Sequence, residues 1–389
     1  MKRVLIYNLF SNVMFEIVVW MIYLKSQGWT IGEIAILEGM FTISQFAFEL
    51  PSGVISDKLG HKLTLVLGEI SCFIYLFGYF FPHIHLVIYI SFILFALGLS
   101  LISGTDVSIL YDAIPVKEKS KYIKYSGIFN SIGILGVAFG NAVGGWLAKI
   151  SWTTLFIIAI IFRFCAIVAA MSINEDNLES VDELQMKQSI LKKMYHFLKN
   201  SKEYQRLLLV ICFSDAAVTI SYQYGSLLLS TIHVPTELVS TIFGTISLLG
   251  ALVSYSIYKI VKKIDENKIT LCLIELSMLL ALLFITKNKI VIIFGLIIIN
   301  VSFEMWNVIL ENKIQKIVLE GIRATSISTI NLFTSLLLTI GSFLISAMSK
   351  KISLELTIGI LSGFGLFVSG FIFIFYMKKR KKNNIQSLK

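Results

Sequence analysis

The amino-acid sequence predicts an all-α membrane protein, with twelve transmembrane helices in two pseudo-symmetric six-helix bundles. The chain of 389 residues is 56% hydrophobic and only 15% charged, whereas about a quarter of the residues of a soluble domain are charged. Apolar runs of about 20 residues recur along the whole chain, and each is long enough to cross a bilayer. The runs fall into two groups of six, before and after a polar stretch at residues 174–206. A transmembrane barrel would instead alternate apolar and polar residues.

The twelve predicted spans are numbered in chain order. Those of the first half cover residues 4–25, 31–55, 63–82, 86–111, 123–148 and 152–173. Those of the second half cover residues 207–232, 238–260, 268–286, 289–311, 323–348 and 353–377. The predicted domains are therefore a first bundle at 1–173, a cytoplasmic linker at 174–206, a second bundle at 207–377 and a basic tail at 378–389. The first run has no small-residue cleavage site, so we expect it to remain as a helix.

Positive charge determines the predicted orientation. The chain carries 34 Lys and Arg, and most of them lie in segments that are cytoplasmic if the N-terminus is inside. Because positive residues are retained on the cytoplasmic side, both termini are predicted to be cytoplasmic. The frequent Lys, Ile and Asn and the short loops favour a bacterial inner membrane. The run KKRKK at 378–382 is predicted to contact anionic lipid, and we expect no nucleic-acid partner.

The two halves resemble each other weakly. ILYDAI at 109–114 aligns with ILENKI at 309–314. Asn130 and Gly140 in span 5 have counterparts in Asn331 and Gly341 of span 11. Internal symmetry of this kind is typical of transporters whose two halves move about a central site.

A charged turn separates spans 2 and 3, within FELPSGVISDKLGHKLTLVLG at 48–68. A glycine in the turn permits a tight reversal, and its lysines hold the turn in the cytoplasm. It can be written G-x-x-x-D-[RK]-x-G-x-[RK], which selects Gly53, Asp57, Lys58, Gly60 and Lys62. A turn that only fixes the topology is the alternative interpretation.

This turn resembles the loop 2–3 signature of the major facilitator superfamily, and the resemblance extends to the helix count and the linker position. It implies a fold of two six-helix bundles and transport by alternating access. It also implies that Asp57, Lys58 and Lys62 form a conformational latch on the cytoplasmic side. His61 stands where the family usually has a basic residue.

Glycines recur in span 5, in GIFNSIGILGVAFGNAVGG at 127–145. Small residues four apart form a smooth stripe on which another helix can pack closely. The pattern G-x8-G-x3-G-P-x2-G-G also resembles the antiporter signature of drug:proton exchangers in the same superfamily. It matches Gly127, Gly136, Gly140, Gly144 and Gly145, with Asn141 in the place of proline. Close packing alone remains the alternative.

Four acids lie in the interior of spans 1, 4, 7 and 10, which the resemblance places around the central cavity: Glu16, Asp106, Asp215 and Glu304. Acids inside a membrane are costly and usually functional. Helix rise places Glu16 about 18 Å from the inner end of its span, nearest the middle of the membrane, so it is the first candidate for proton coupling. Tyr222 and Trp306 are candidates to line the substrate cavity, although such aromatic residues often only pack.

Two further intramembrane charges are expected to pair. Arg163 is the only arginine in the interior of a predicted span, since Arg323 stands at the first position of span 11, and Glu38 in span 2 is also deep. The sequence therefore favours an ion pair between Glu38 and Arg163. Glu69 lies nearer the inner face and is interpreted as structural.

The sequence offers little support for an enzyme. It has no nucleotide-binding loop of the form G-x-x-x-x-G-K-[ST], no metal-ligand spacing and no nucleophile–base arrangement. Its four cysteines lie in apolar runs. We expect no cofactor and no metal.

The leading hypothesis is a monomeric proton-coupled exporter of small lipophilic compounds, neutral or cationic. Its partners would be the substrate, protons and membrane lipid. An uptake symporter or uniporter for a small nutrient is the alternative, and a non-transporting receptor is a third possibility.

Overall fold

The computed structural model describes residues 1–174, 193–261, 264–319 and 322–386, and every regular element within them is helical. The first part of the chain forms α1 (Lys2–Asn12), α2 (Trp20–Ser26), α3 (Ile31–Leu59), α4 (His61–Phe77), α5 (His85–Ile102), α6 (Thr105–Asp112), α7 (Tyr122–Ile150) and α8 (Trp152–Met171). The second part forms α9 (193–200), α10 (Lys202–Gln223), α11 (Gly225–Thr231), α12 (Thr236–Val261), α13 (Glu266–Leu282), α14 (Lys289–Ile317), α15 (Arg323–Met348) and α16 (Leu354–Gln386).

Eleven helical segments in the described residues are long and apolar enough to cross a membrane, and they correspond to predicted spans 2 to 12. The chain is therefore a multi-pass membrane protein. Predicted span 1, residues 4–25, is instead two short helices, α1 and α2, separated by residues 13–19. For this reason, and because spans 4 and 7 also contain breaks, twelve uninterrupted membrane helices are not observed in the described residues.

Two compact units divide the chain. The first is Met1–Ser180 together with Leu229–Leu248, and the second is Val181–Leu228 together with Leu249–Lys389. Helix α12 contributes its first half to the first unit and its second half to the second. The segment Leu229–Leu248 lies in the predicted second bundle but packs with the first unit.

Aromatic residues fill the core of the first unit around α2. The rings of Tyr79 and Phe156 stack at 4.5 Å, and those of Tyr75 and Phe95 at 4.2 Å. The Tyr23 hydroxyl donates a hydrogen bond of 2.6 Å to the Tyr79 carbonyl. These contacts anchor α2 although it has only seven residues, since a helix this short is not stable on its own.

Small residues bring α10 and α16 together in the second unit. Ser362 and Ser369 of α16 donate hydrogen bonds to backbone carbonyls of α10 at 2.8 and 2.9 Å. Gly365 lies against Ala217, where an added Cβ would approach the alanine Cβ to 2.8 Å. Close packing and interhelical hydrogen bonds of this kind drive helix association inside membranes.

Side-chain hydrogen bonds cap the N-termini of two helices at the predicted membrane boundary. Thr30 and Glu33 form a reciprocal capping box at the start of α3. Asp265 accepts backbone hydrogen bonds from Lys268 and Asn267 at the start of α13. These bonds stabilise the carboxylate and lower the pKa of Asp265.

Candidate functional site

Three membrane segments are interrupted at the positions of predicted spans 1, 4 and 7. The helix breaks fall at residues 13–19, at residues 103–104 and at residue 224. Glu16 lies inside the first break, and Asp106 lies in the first turn of α6, directly after the second. Breaks free backbone groups that must find partners inside the membrane, and discontinuous helices are typical of transporter binding sites. The candidate site therefore starts from these two acids.

Glu16 is held in a buried turn. It is 2% exposed, and its carbonyl accepts hydrogen bonds from the backbone N–H groups of Val19 and Trp20 at 2.9 and 2.8 Å. The broken segment 13–19 contains neither glycine nor proline. Tertiary contacts, and not local propensity, must therefore keep it out of the helix.

The glycines of α7 supply those contacts. A Cβ added to Gly140 would lie 2.8 Å from the carbonyl oxygen of Met14, and one added to Gly144 would overlap the carbonyl group of Phe15. Gly136 lies against the end of α1 in the same way. The predicted glycine stripe is thus the surface on which the Glu16 segment rests.

The two ends of the glycine pattern have different surroundings. Gly127 has no neighbour within 4 Å of an added Cβ. Gly145 packs against α12, where an added Cβ would lie 2.5 Å from the Cβ of Ser240. The Ser240 hydroxyl accepts a hydrogen bond of 2.7 Å from the Gly145 N–H and donates one to the Asn141 carbonyl. A side chain thus inserts into the helical hydrogen-bond ladder, at the residue that replaces the proline of the family pattern.

Two further bonds extend this contact, all of it within the first unit. The Lys149 Nζ lies 2.7 Å from the Glu237 Oε1. The Asn141 amide donates to the Ser247 hydroxyl at 3.1 Å. We call this contact, made by residues 141–149 of α7 and residues 236–247 of α12, the α7–α12 seam.

A buried ion pair lies at the centre of the first unit. The Arg163 Nη1 of α8 lies 2.7 Å from the Glu69 Oε2 of α4. The other oxygen of Glu69 accepts hydrogen bonds from the hydroxyls of Tyr7 at 3.0 Å and Ser11 at 2.6 Å. Both of these donors lie on α1, just before the break that holds Glu16.

The predicted ion pair between Glu38 and Arg163 is not formed. Arg163 bonds to Glu69 because α8 packs against α1, α4 and α7, whereas Glu38 lies on α3. Glu38 is buried, and its carboxylate makes no hydrogen bond or ion pair within the described ranges. Glu38 and Arg163 both lie deep in their predicted spans, but depth alone does not bring two side chains into contact.

Sequence reasoning missed the importance of Glu69, although a signal was present. TLVLGEIS at 64–71 and TLCLIELS at 270–277 share Thr, two Leu, Glu and Ser at identical spacing. This repeat makes Glu275 of α13 the counterpart of Glu69. Glu275 is exposed and forms no hydrogen bond or ion pair with any residue that the structure describes. Only the first copy of the repeat has acquired a basic partner.

Asp106 lies at a helix start. Gly104 before it has a φ of +79°, which favours glycine. The Asp106 carboxylate accepts a hydrogen bond of 2.8 Å from the Val107 N–H. Helix α6, which carries Asp106, packs against α1 and α4, the helices that carry Tyr7 and Glu69.

Three acids of the second unit lie on α10 and α14, two helices that pack against each other: Asp215, Glu304 and Glu311. Hydroxyl groups donate to two of them, Thr219 to Asp215 at 3.1 Å and Ser254 to Glu304 at 3.2 Å. Within the described ranges none of the three forms an ion pair with Lys or Arg. We call Asp215, Glu304 and Glu311 the second-unit acid cluster.

The two predicted aromatic cavity residues differ in exposure. Trp306 is fully buried against Phe303, with ring centroids 5.7 Å apart. Its indole N–H has no hydrogen-bond partner in the described part of the chain. Tyr222 is partly exposed at the end of α10. Tyr222 is thus accessible in this structure, and Trp306 is not.

The charged turn between predicted spans 2 and 3 is short, as the sequence predicts for a tight reversal of the chain. Helix α3 continues to Leu59, and Gly60, with a φ of +88°, leads directly into α4. Gly53 faces open space, Lys58 is exposed and Lys62 is partly buried. The side chain of Asp57 lies outside the described part of the chain. The latch itself stays a prediction.

Ion pairs of opposite polarity lie at equivalent places in the two units. In the first unit the His61 Nδ1, at the start of α4, lies 3.1 Å from the Asp112 Oδ2, at the end of α6. In the second unit Glu266 at the start of α13 pairs with Lys313 near the end of α14 at 3.0 Å. Each pair ties two consecutive membrane segments together at the predicted cytoplasmic side.

The described residues contain no group of three His, Cys, Asp or Glu side chains placed to hold a metal ion.

Comparison with known proteins identifies the family. The model of the Major Facilitator Superfamily matches residues 4–342. The Quinolone resistance protein NorA of Staphylococcus aureus is 28% identical over 147 residues, which is 38% of this chain and 37% of NorA. The chain thus aligns with little more than a third of that relative. The uncharacterized MFS-type transporter MJ1560 of Methanocaldococcus jannaschii is 26% identical over 299 residues, 72% of each chain.

Solved transporter structures have a similar fold. A mutant of the nucleoside transporter NupG has a TM-score of 0.78 at 14% identity, over 96% of this chain and 98% of NupG. A bacterial homologue of the iron transporter ferroportin, in an inward-facing state, has a TM-score of 0.76 at 12% identity, over 96% and 97%. Their substrates differ, so these similarities describe the fold only.

Proposed function

The chain belongs to the Major Facilitator Superfamily and is a transporter, not an enzyme, and on this premise we propose that it exports small lipophilic compounds in exchange for protons. The observation that carries the proposal is Glu16, an acid buried in a helix break that rests on the glycines of α7. Those glycines match the antiporter pattern of drug:proton exchangers. The limited similarity to NorA, a protein named for quinolone resistance, supports the same direction of transport.

The second-unit acid cluster supports a neutral or cationic substrate. Three carboxylates without a basic partner create a negative potential that attracts cations and repels anions. An aromatic residue such as Tyr222 adds apolar contact and cation–π attraction. We therefore assign Asp215, Glu304 and Tyr222 to substrate binding, with Trp306 in the packing behind them.

Glu16 and Asp106 are the residues we assign to proton coupling. A proton carrier must be reachable from both sides of the membrane in turn, and alternating access supplies that exposure. A carboxyl group in a dry site favours its neutral form, so a change of surroundings changes its proton occupancy. The turn with Gly53, Asp57, Lys58, Gly60 and Lys62 would latch one of the two states.

The protein is proposed to act as a monomer in a bacterial inner membrane, with both termini in the cytoplasm. Lysines at the predicted cytoplasmic ends support this orientation. Membrane lipid would surround the apolar helix faces and contact the basic tail.

Transport by purified protein in inside-out vesicles tests the proposal. The vesicles are given an acidic lumen, and a fluorescent lipophilic cation of the rhodamine class is added outside. We expect the dye to accumulate in the lumen while the lumen loses protons, and a protonophore to abolish the accumulation. Glu16→Gln should uncouple dye movement from the proton gradient.

Glu275→Gln is the matched control, because it makes the same change at an exposed membrane carboxyl and should transport normally. Dye movement that is indifferent both to the protonophore and to Glu16→Gln would refute proton coupling. Accumulation of a nutrient in right-side-out vesicles, with no dye export, would instead indicate the uptake symporter.

A further inference from the structure

Arg163 lies between Glu69 and the segment that holds Glu16. It is hydrogen-bonded to Glu69 at 2.7 Å, and its neighbour Phe162 packs on Phe15, the neighbour of Glu16, with ring centroids 5.0 Å apart. Arginine has five N–H donors, so the bond to Glu69 leaves others to direct at a second acid. The remaining titratable groups that interact with Glu16 are Cys72, Tyr75 and Tyr79, which carry no charge in their usual forms.

The charge count makes Glu16 the variable member of this group. Glu69 and Arg163 together carry no net charge. The buried group is therefore neutral when Glu16 is protonated and has one negative charge when Glu16 is ionised. An unpaired charge in a dry interior is strongly disfavoured, but Arg163 lies close enough to offset part of that cost.

Without one or both charges of the Glu69–Arg163 pair, Glu16 would be held in a single protonation state. With Arg163 present and Glu69 neutral, the arginine would need Glu16 as its counter-ion, and Glu16 would remain ionised. With neither charge present, an ionised Glu16 would have no partner and the residue would remain protonated. Only the complete pair leaves both states accessible, which a proton carrier requires.

We propose that Glu69 and Arg163 are positioning residues for proton exchange at Glu16, holding a shared counter-charge that allows Glu16 both to bind and to release a proton. This inference rests on the proposed function, in which Glu16 carries the coupled proton. It gives a role to two residues that the exporter hypothesis alone leaves unused.

The surroundings of Glu69 fit this role. Its carboxylate is fully buried and accepts three hydrogen bonds, from Arg163, Tyr7 and Ser11. Tyr7 and Ser11 belong to α1, the helix that leads into the Glu16 break. Movement of that break relative to α4 and α8 would therefore change the distance between Arg163 and Glu16 while Glu69 stays bonded.

Infrared titration of the purified protein tests the inference without transport. The carbonyl band of a protonated carboxyl is assigned to Glu16 by its loss in Glu16→Gln, and its amplitude is followed against pH. Opposite charges shift such midpoints by about one to three pH units. We expect Glu69→Gln to move the midpoint to lower pH by about that amount, and Glu69→Gln with Arg163→Gln to move it to higher pH. Glu275→Gln should leave it unchanged.

A purely structural pair would lower yield or melting temperature in both variants and leave the Glu16 midpoint at its original pH. That result, or a shift of both variants in the same direction, overturns the inference. If Glu69→Gln protein does not fold, Glu69→Asp replaces it and is expected to give a smaller shift to lower pH, while an unchanged midpoint counts against the inference. Dye export by the unaltered protein without a proton gradient would refute the proposed function, and the infrared midpoints would still decide the role of the pair.

Discussion

The carbonyl group of Phe15 occupies the space in which Gly144 would carry a side chain. This contact presses the broken segment of the first membrane span against α7. Glycine is therefore required at position 144, because any larger residue would have to displace the backbone of Phe15.

Gly144→Ala is expected to abolish most export and to lower the melting temperature. Alanine normally favours a helix over glycine by about 1 kcal/mol, so a loss of stability here would come from the clash with Phe15. Gly127→Ala is the matched control in the same helix, with open space around it. It should be neutral or slightly stabilising. Equal behaviour of the two variants in melting and dye export would contradict this account.

The buried ion pair predicts a large and reciprocal effect on stability. Arg163→Met leaves Glu69 charged without its partner, and breaking such a pair costs about 3–5 kcal/mol. Adding Glu69→Leu should recover most of that loss, since apolar replacements of both partners remove the unpaired charge. Thermal unfolding in detergent measures both variants. A double variant no more stable than Arg163→Met would be inconsistent with a mutual pair.

The α7–α12 seam predicts a crosslink between residues 149 and 237. Lys149→Cys and Glu237→Cys are combined in a chain whose four native cysteines are replaced by serine, and a protease site is inserted in the linker. A short bis-maleimide should keep the two halves together after cleavage, because the native side chains lie 2.7 Å apart. Each single cysteine variant serves as a control. Complete separation of the fragments in the double variant would argue against the seam.

The second-unit acid cluster predicts selectivity by charge. Asp215→Asn should raise the KM for a cationic dye by about fivefold more than for a neutral analogue of similar shape, corresponding to about 1 kcal/mol of lost attraction. Glu275→Gln should change neither value. Equal effects of Asp215→Asn on the two compounds would remove the cluster from substrate recognition.

The two ion pairs at equivalent helix ends should respond unequally to loss of their acid. Glu266→Gln leaves Lys313, which is only 6% exposed, as a buried cation and should cost about 1.5–3 kcal/mol. Asp112→Asn should cost less, because the Asp112 side chain is 46% exposed and solvent screens its interaction with His61. Thermal unfolding of both variants at neutral pH makes the comparison. A larger loss in Asp112→Asn would reverse this ranking.

The membrane segments from Ile31 onwards were predictable, because long apolar runs separated by charged turns have few other solutions in a bilayer. The break at residues 13–19 was not. It contains no glycine or proline, and it exists because backbone atoms of Met14 and Phe15 pack on Gly140 and Gly144. Local sequence carries no record of such a contact.

The candidate site, too, could be predicted from the sequence only in part. The acids of spans 1, 4, 7 and 10 could be found from the cost of charge in a membrane. The partner of Arg163 could not be found from depth, because depth does not say which helices are adjacent or which way each is rotated. The repeated T-L-x-L-x-E-x-S pattern did mark Glu69, and only the structure shows that one of its two copies is paired.

Ser240 gives the seam a reversible character. Its hydroxyl accepts from the Gly145 N–H and donates to the Asn141 carbonyl, two groups that an undisturbed helix would join to each other. If α12 moved away, these two groups could bond to each other, so that neither would lack a hydrogen-bond partner inside the membrane. Separation of the two helices would then replace one set of hydrogen bonds by another.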